Sequence, residues 1–369
     1  MSTNDINKKG KLLVMESTQL ESKNIYIDKG LTGLVNLGNS CFMNSALQCL
    51  SHSYLFNDFL KKGTYTSKIN KKAESLILME WDKLRELMWS ENCIISPGGF
   101  YTSVSKVAKI KDKVIFTGHA QNDLTEFLIF IINCFHSAIM REVNMDIKGD
   151  IQSETDKLAK SCFTMMKTMY KKEYSEILGL FYGIHVSKLE TPLGVLINSV
   201  PEPFLLLDLA IPESPENSDI PLNLHACLEW YTRKEQLDDD NKYMNETTKK
   251  EELVQKQILF WSLPDLFIIS LKRFSNSLQK NGCLVDFPLE NLDMSKYIVG
   301  YDKTTYVYNL YGICNHIGGV YGGHYTAFIK NANGKWYHFD DTRVTEIDDL
   351  STLKSSQAYC FFYCKKKIR

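Results

Sequence analysis

No apolar run in the chain approaches the roughly 18 residues that a membrane span needs, so nothing reads as a transmembrane helix. Its start, Met1-Ser2-Thr3-Asn4-Asp5, is polar throughout and lacks the basic and apolar regions of a secretory leader. Excess positive charge is missing too. Against 44 Asp and Glu stand 43 Lys and Arg, a net charge of −1, which disfavours a general nucleic-acid footprint. Coiled-coil heptads are absent, and a monomer is expected. Close cysteine pairs of a disulfide framework are also lacking; the ten cysteines are scattered, which fits reduced thiols in a chain of this size. Together these absences predict an intracellular protein, cytoplasmic or nuclear and not secreted, with neither membrane nor nucleic acid as partner.

What is present suffices for a substantial core, 44% of 369 residues being hydrophobic, in one elaborate domain or two. Residues 1–30 are rich in Lys, Asn and Ser around one apolar patch, Leu12-Leu13-Val14-Met15. They read as a tail, either disordered or docked on the rest of the chain or on a partner. From Gly33 to about Ser175 apolar residues recur at helical spacing. One stripe is Leu76, Met79, Leu84, Leu87 and Met88; another is Leu124, Phe127, Leu128, Ile131 and Phe135. Thereafter the period shifts toward two, predicting strands over 204–212, 266–274, 306–313, 325–330, 335–339 and 358–363. Between the fourth and fifth, Asn331-Ala332-Asn333-Gly334 predicts a hairpin turn. The fold class is therefore α+β, a helical lobe followed by a sheet lobe. The run Asp238-Asp239-Asp240 reads as a solvated loop.

Chemistry concentrates at the two ends of this arrangement. Cys41 lies in Gly33-Leu34-Val35-Asn36-Leu37-Gly38-Asn39-Ser40-Cys41-Phe42-Met43-Asn44. Asn39 and Ser40 are N-cap residue types, and Phe42, Ala46, Leu47 and Leu50 follow at helical spacing, so the sulfur falls in a first helical turn. There the helix offers unpaired N–H groups and about half a positive charge, which favours a thiolate. His324, in Gly322-Gly323-His324-Tyr325, can take the thiol proton, and Asp340, in Trp336-Tyr337-His338-Phe339-Asp340-Asp341, can orient the imidazole. Asn36 can donate its amide to an oxyanion, a contact worth about 2.7–4 kcal/mol. Taken singly, each residue has an ordinary explanation: a buried thiol, a Gly-Gly turn, a strand-end carboxylate. As a set they point to a thiol peptidase. Asp123 and Glu126 lie three apart on a helix whose opposite side is apolar, a placement that also suits compensation of the helix N-terminus.

The chain resembles the ubiquitin-specific proteases, deubiquitinases with a papain-like core. The resemblance is carried by the cysteine box 33–50, by Gln121-Asn122-Asp123-Leu124-Thr125-Glu126-Phe127, by the strand from Leu263-Pro264 to Leu271-Lys272-Arg273-Phe274, and by the histidine box 311–344, in the family's order. It implies a catalytic domain over 31–366: a helical thumb at 31–175, β-ribbon fingers with part of the palm at about 176–262, and a β-sheet palm at 263–366. It further implies that Cys41, His324 and Asp340 are catalytic with Asn36 at the oxyanion, and that Asp341 shares the orienting of His324 or holds a water. Gln121, Asp123, Glu126, Phe274, His316, Gly322, Gly323 and Tyr325 would then receive the ubiquitin tail. His338 is expected to face solvent. Ubiquitin and ubiquitinated proteins are the implied partners, and no cofactor is implied.

One departure stands out. Many members bind structural zinc in the fingers through two Cys-x-x-Cys pairs, whereas Glu190, Leu193, and approximately Asn245 and Thr248, stand here instead. Isolated Cys93 and Cys227 do not rebuild the site, so fingers without metal are expected. A protease for a ubiquitin-like modifier and a non-catalytic ubiquitin-binding scaffold remain the alternative functions.

Overall fold

The computed structural model describes residues 23–118, 120–213, 222–237, 243–244, 251–275, 277–319 and 322–367. The patch Leu12–Met15, the acidic run 238–240, Asn245 and Thr248 lie outside them. A short strand β1 (Gly33–Leu34) precedes the helices α1 (Cys41–Ser51), α2 (Tyr54–Lys61) and α3 (Ser75–Ser90). After β2 (Ile94–Ile95), which pairs parallel with β1, come α4 (Gly98–Ile110), α5 (Leu124–Ile139), α6 (Glu154–Glu173) and α7 (Glu176–Phe181). The strands β3 (Gly183–Glu190), β4 (Leu196–Phe204) and β5 (Leu206–Ala210) lead to α8 (Leu224–Thr232), β6 (Glu235–Gln236), β7 (Tyr243–Met244), β8 (Glu251–Glu252) and β9 (Gln255–Ser262). The chain closes with β10 (Leu266–Lys272), β11 (Leu292–Asp293), β12 (Val307–Gly319), β13 (Gly322–Lys330), β14 (Trp336–Asp340), β15 (Arg343–Ile347) and β16 (Ala358–Lys365).

The main sheet runs β15-β14-β13-β12-β16-β10-β5, with β11 beside β12. Its central strands β10 and β16 are apolar almost without alternation because both faces are covered. One face packs on the helical lobe, the other on a second core that includes Leu228 of α8, Phe287 and Phe361. Beyond it, β4-β3-β9-β6 form a separate antiparallel ribbon. The turn after β13 closes as expected: Asn331 N donates to Lys335 O at 2.9 Å, and Gly334 adopts φ +85.

In the helical lobe the stripe on α5 is buried in full, each such side chain contributing roughly 1.5–3 kcal/mol. Asp123 caps this helix through the N–H groups of Thr125 and Glu126. The stripe expected on α3 is right only in part. Leu84 and Met88 face the core, but Met79 and Leu87 are 41% and 54% exposed, and Ile77 and Trp81 face the core in their place. Sequence reading also missed α8 and merged the end of β4 with β5 into one strand. Residues 25–30, assigned to the tail, are built into the fold: Tyr26 is buried, its hydroxyl donating to Asp58 Oδ1 at 2.8 Å.

Candidate active site

Helix α1 is buried along all eleven residues and lies against β13 and β12, which brings its first residue, Cys41, to the strand that starts with Gly322-Gly323-His324. Left-handed Gly38 (φ +96) and Asn39 (φ +54) make the turn into the helix. Ser40 occupies the N-cap position but makes no capping bond; its hydroxyl accepts from Leu37 N at 2.8 Å and donates to Asn36 Oδ1 at 3.3 Å. The loop is thereby closed on itself, and the first-turn N–H groups stay unclaimed by a cap. The backbone N–H groups of Tyr325, Phe42 and Cys41 favour the thiolate. Cys41 is only 3% exposed. Burial, helped by the Asp341 charge, outweighs those N–H groups and raises the thiol above its ordinary range. A thiol so placed needs a base to become a nucleophile.

The residue before Tyr325 is suited to be that base. His324 Nε2 donates to Asp340 Oδ1 at 2.6 Å, leaving Nδ1 for the sulfur's proton. The neighbouring carboxylate has another task. Asp341 Oδ2 accepts from Asn36 Nδ2 at 2.9 Å and Oδ1 from Asn44 Nδ2 at 2.7 Å. With both oxygens so engaged, Asp341 lies on the Asn36 side of the site. Asn36 Oδ1 accepts from Gly38 N at 3.0 Å and Ser40 N at 3.1 Å, so its amide is fixed at both ends and keeps a second N–H to offer. Asn44 was missed. Its signal was present: Cys41, Asn44 and Gln48 put polar groups on one side of a buried helix.

The expected tail residues fall on one wall. Gln121 clamps Gly323 from both sides, donating Nε2 to its carbonyl at 3.0 Å and accepting from its N–H at 2.9 Å. A Cβ on Gly323 would sit 2.3 Å from His316 Nε2, so only glycine fits, whereas at Gly322 space is open. His316, Phe274 and Tyr325 pack ring to ring with Tyr359, which sequence reading overlooked. Tyr359 donates its hydroxyl to Asp123 Oδ2, so that carboxylate is committed to its own helix and to the wall. Burial, reinforced by Lys280, lowers His316 to about 4. Glu126 is exposed at the edge of a groove that Phe116, Ile129, Asn133 and Tyr182 also line.

Two other expectations meet the structure differently. His338 does not face solvent: it is half-buried against Phe328, ring centroids 4.9 Å apart, and burial lowers it below its ordinary range. At the fingers, Glu190 is paired with Lys234 and Leu193 is 92% exposed in the β3–β4 turn, so neither supplies a metal-binding thiolate. Among the described residues the only close group of metal-ligand types is His324, Asp340 and Asp341, within 4.8 Å, and their hydrogen bonds already commit them.

A thiol at a helix start, an imidazole and carboxylate on a facing sheet, and a ribbon extension define a papain-like cysteine peptidase core with thumb, palm and fingers. The family model described as ubiquitin carboxyl-terminal hydrolase matches residues 32–363, and the chain belongs to that family. Human ubiquitin carboxyl-terminal hydrolase 2 is 32% identical over 350 residues, covering 91% of this chain and 55% of the relative. Its Bos taurus counterpart is 31% identical over 377 residues, covering 96% and 59%. The chain thus spans a little over half the length of these relatives. Among solved structures, the SAGA Ubp8/Sgf11/Sus1/Sgf73 DUB module bound to ubiquitin aldehyde is similar at TM-score 0.69 and 26% identity, over 92% of this chain and 70% of that one. No helix among the described residues is long and apolar enough to cross a membrane.

Proposed function

We propose that the chain is a deubiquitinating thiol peptidase that hydrolyses the peptide or isopeptide bond after the C-terminal glycine of ubiquitin. The observation that carries this is the His324–Asp340 pair at 2.6 Å across the β13–β14 hairpin, whose strand β13 packs on the helix that begins with Cys41. Family membership, and a similar structure that is bound to ubiquitin aldehyde, support the choice of modifier. Residues 31–366 act as the catalytic unit, with 31–175 as thumb, about 176–262 as fingers and part of the palm, and 263–366 as palm. The protein works as an intracellular monomer, in cytoplasm or nucleus.

In the first step His324 Nδ1 takes the Cys41 proton while the sulfur bonds to the carbonyl carbon of the last glycine. The negative charge moves to the carbonyl oxygen, where Asn36 Nδ2 and the Cys41 N–H receive it. As the intermediate collapses the C–N bond breaks, and His324 returns the proton to the departing amine. Water then adds to the thioester, giving a proton to His324. The C–S bond breaks, the free carboxylate forms, and Cys41 is protonated again. Asp340 holds the imidazole throughout. Gln121, Gly322, Gly323, His316, Tyr325 and Phe274 form the wall along which the tail runs, Asp123 steadies that wall through Tyr359, and the exposed Glu126 carboxylate is left for the tail's basic residues.

A ubiquitin carrying a C-terminal electrophile tests this: wild type forms a covalent adduct and Cys41→Ala does not. Because the fingers carry Glu190 and Leu193 in place of thiols, a ubiquitin-like modifier is the second reading, and matched probes on such modifiers decide it. Labelling by none of the probes would sink both readings and leave the binding scaffold.

A further inference from the structure

Residues 26–36 form a continuous strip along the seam between the lobes, bonded alternately to each. On the helical side, the Tyr26 ring packs 4.9 Å from both Tyr54 and Trp89, and its hydroxyl donates to Asp58. Asp28 O accepts from Asn92 Nδ2 at 2.8 Å, and Leu31 N donates to Asn92 Oδ1 at 3.0 Å. Gly30, at φ +75, lies so close on Trp89 that a Cβ would come within 2.6 Å of the indole. On the sheet side, Asp28 Oδ1 accepts from Asn333 Nδ2 and Lys29 O from Asn331 Nδ2, each at 2.8 Å. Both asparagines belong to the turn joining β13 to β14. Further along, Leu34 N donates to Asp341 O at 2.8 Å and Asn36 Nδ2 to Asp341 Oδ2 at 2.9 Å, five residues before Cys41.

The β13–β14 hairpin carries His324 on one arm and Asp340 on the other, and its turn is the end remote from both. That hairpin end is held to the helical lobe by the segment 26–31, while the segment 33–36 holds the catalytic end. The family match begins at residue 32, so the first of these attachments lies ahead of the matched region. We propose that residues 26–31 are a positioning strap for the reaction: by fixing the Asn331–Asn333 turn to the helical lobe, Tyr26 and Asp28 set the placement of His324 and Asp340 against Cys41. The strap touches no substrate and acts through the hairpin. A catalytic unit cut at its family boundary would keep every catalytic side chain and lose this alignment.

The proposal rests on the peptidase reading for its turnover assay, and a second readout is free of that reading. In the full chain, Tyr26→Ala and Asp28→Ala are compared with Asp28→Asn, which keeps the acceptor for Asn333, and with Val285→Ala, a cavity control in the second core remote from the seam. Turnover of a ubiquitin C-terminal fluorogenic amide gives kcat and KM; the pH profile of Cys41 alkylation by iodoacetamide, followed on its peptide by mass spectrometry, reports the sulfur's pairing with His324. Expected for the two alanine variants is a kcat lower by roughly ten- to a hundredfold, the scale of an ångström-level misplacement. KM should hold, and the Cys41 profile should move to higher pH. Asp28→Asn should restore both readouts, and Val285→Ala should lower only thermal stability. Should Tyr26→Ala fail to fold, the Asp28 pair decides alone. Alanine variants whose kcat and alkylation profile match the control would overturn the strap. A wild type inert on the ubiquitin amide would remove the peptidase reading, and the alkylation profiles would still decide the strap.

Discussion

The seam between helical lobe and main sheet and the ribbon β4-β3-β9-β6 are built on opposite rules. Along the seam hydrogen bonds lock the parts together: Asp341 joins the sheet to Asn36 and Asn44 of the helical lobe, and within that lobe Gln48 Nε2 donates to Thr32 O and Thr32 Oγ1 to Met88 O and Glu91 O. Backbones approach until no side chain fits; a Cβ on Gly33 would stand 2.3 Å from Thr342 O. The ribbon is looser. Strand β4 is at most half-buried along most of its length, Leu193, Val195 and Leu196 are exposed, and Glu190–Lys234 is a surface ion pair. Placement to fractions of an ångström is demanded where bonds break and form, and an adaptable surface suffices where a protein partner is met.

The contrast would break first at Asp341. Asp341→Ala frees both asparagines and should lower kcat by about 10²–10³, the cost of a lost oxyanion donor, with KM little changed; steady-state kinetics on a ubiquitin amide measures it. A pH test sharpens the seam further. His52 is fully buried between Trp89 and Phe339 and is lowered by desolvation to about 4. The unfolded chain takes up that proton near the ordinary value of about 6.5, before the folded chain does, so stability falls as pH drops through the window between them. About 3 kcal/mol is lost over that range. His316, also at about 4, adds a second slope of the same sign. Urea midpoints from pH 7 to 4.5 should fall steeply in wild type and with about one proton less in His52→Phe; an identical slope in both would refute the assignment.

Gly33→Ala forces a methyl against the Thr342 carbonyl and should cost about 1–3 kcal/mol of stability, read from the same denaturation curves. At the ribbon the effect should shrink. Lys234→Ala removes an exposed pair worth at most about 1 kcal/mol, and a chelator should leave melting unchanged, since Glu190 and Leu193 offer no thiolate. A Lys234→Ala loss as large as that of Gly33→Ala would erase the difference between the two regions.

Much of the seam was legible in the letters because its chemistry is local. The loop before Cys41, the glycines before His324 and the Asn-x-Asn-Gly turn each announce their own geometry. What stayed hidden depended on packing. On α3 the apolar letters surround the helix, and only the faces offered by α4 and α5 choose Ile77 and Trp81 over Met79 and Leu87. Helix α8 sits within a stretch whose neighbours alternate as strands. Tyr359 is one of several aromatics on β16, and nothing in its own sequence marks it as the partner of Asp123. His338 was placed in solvent on the family resemblance, which does not register Phe328 on the neighbouring strand. Asp341 takes its role from Asn36 and Asn44, 305 and 297 positions away, a distance that no local pattern spans.

The unused cap at Ser40 has a consequence for turnover. Donors that no cap claims at the start of α1 would receive a fleeting negative oxygen and a permanent one alike, and the proposed hydrolysis would end by generating a carboxylate in that spot. In the proposed reaction, release of the freed modifier is then expected to slow the cycle, and a product analogue ending in a primary amide should inhibit more weakly than the natural acid.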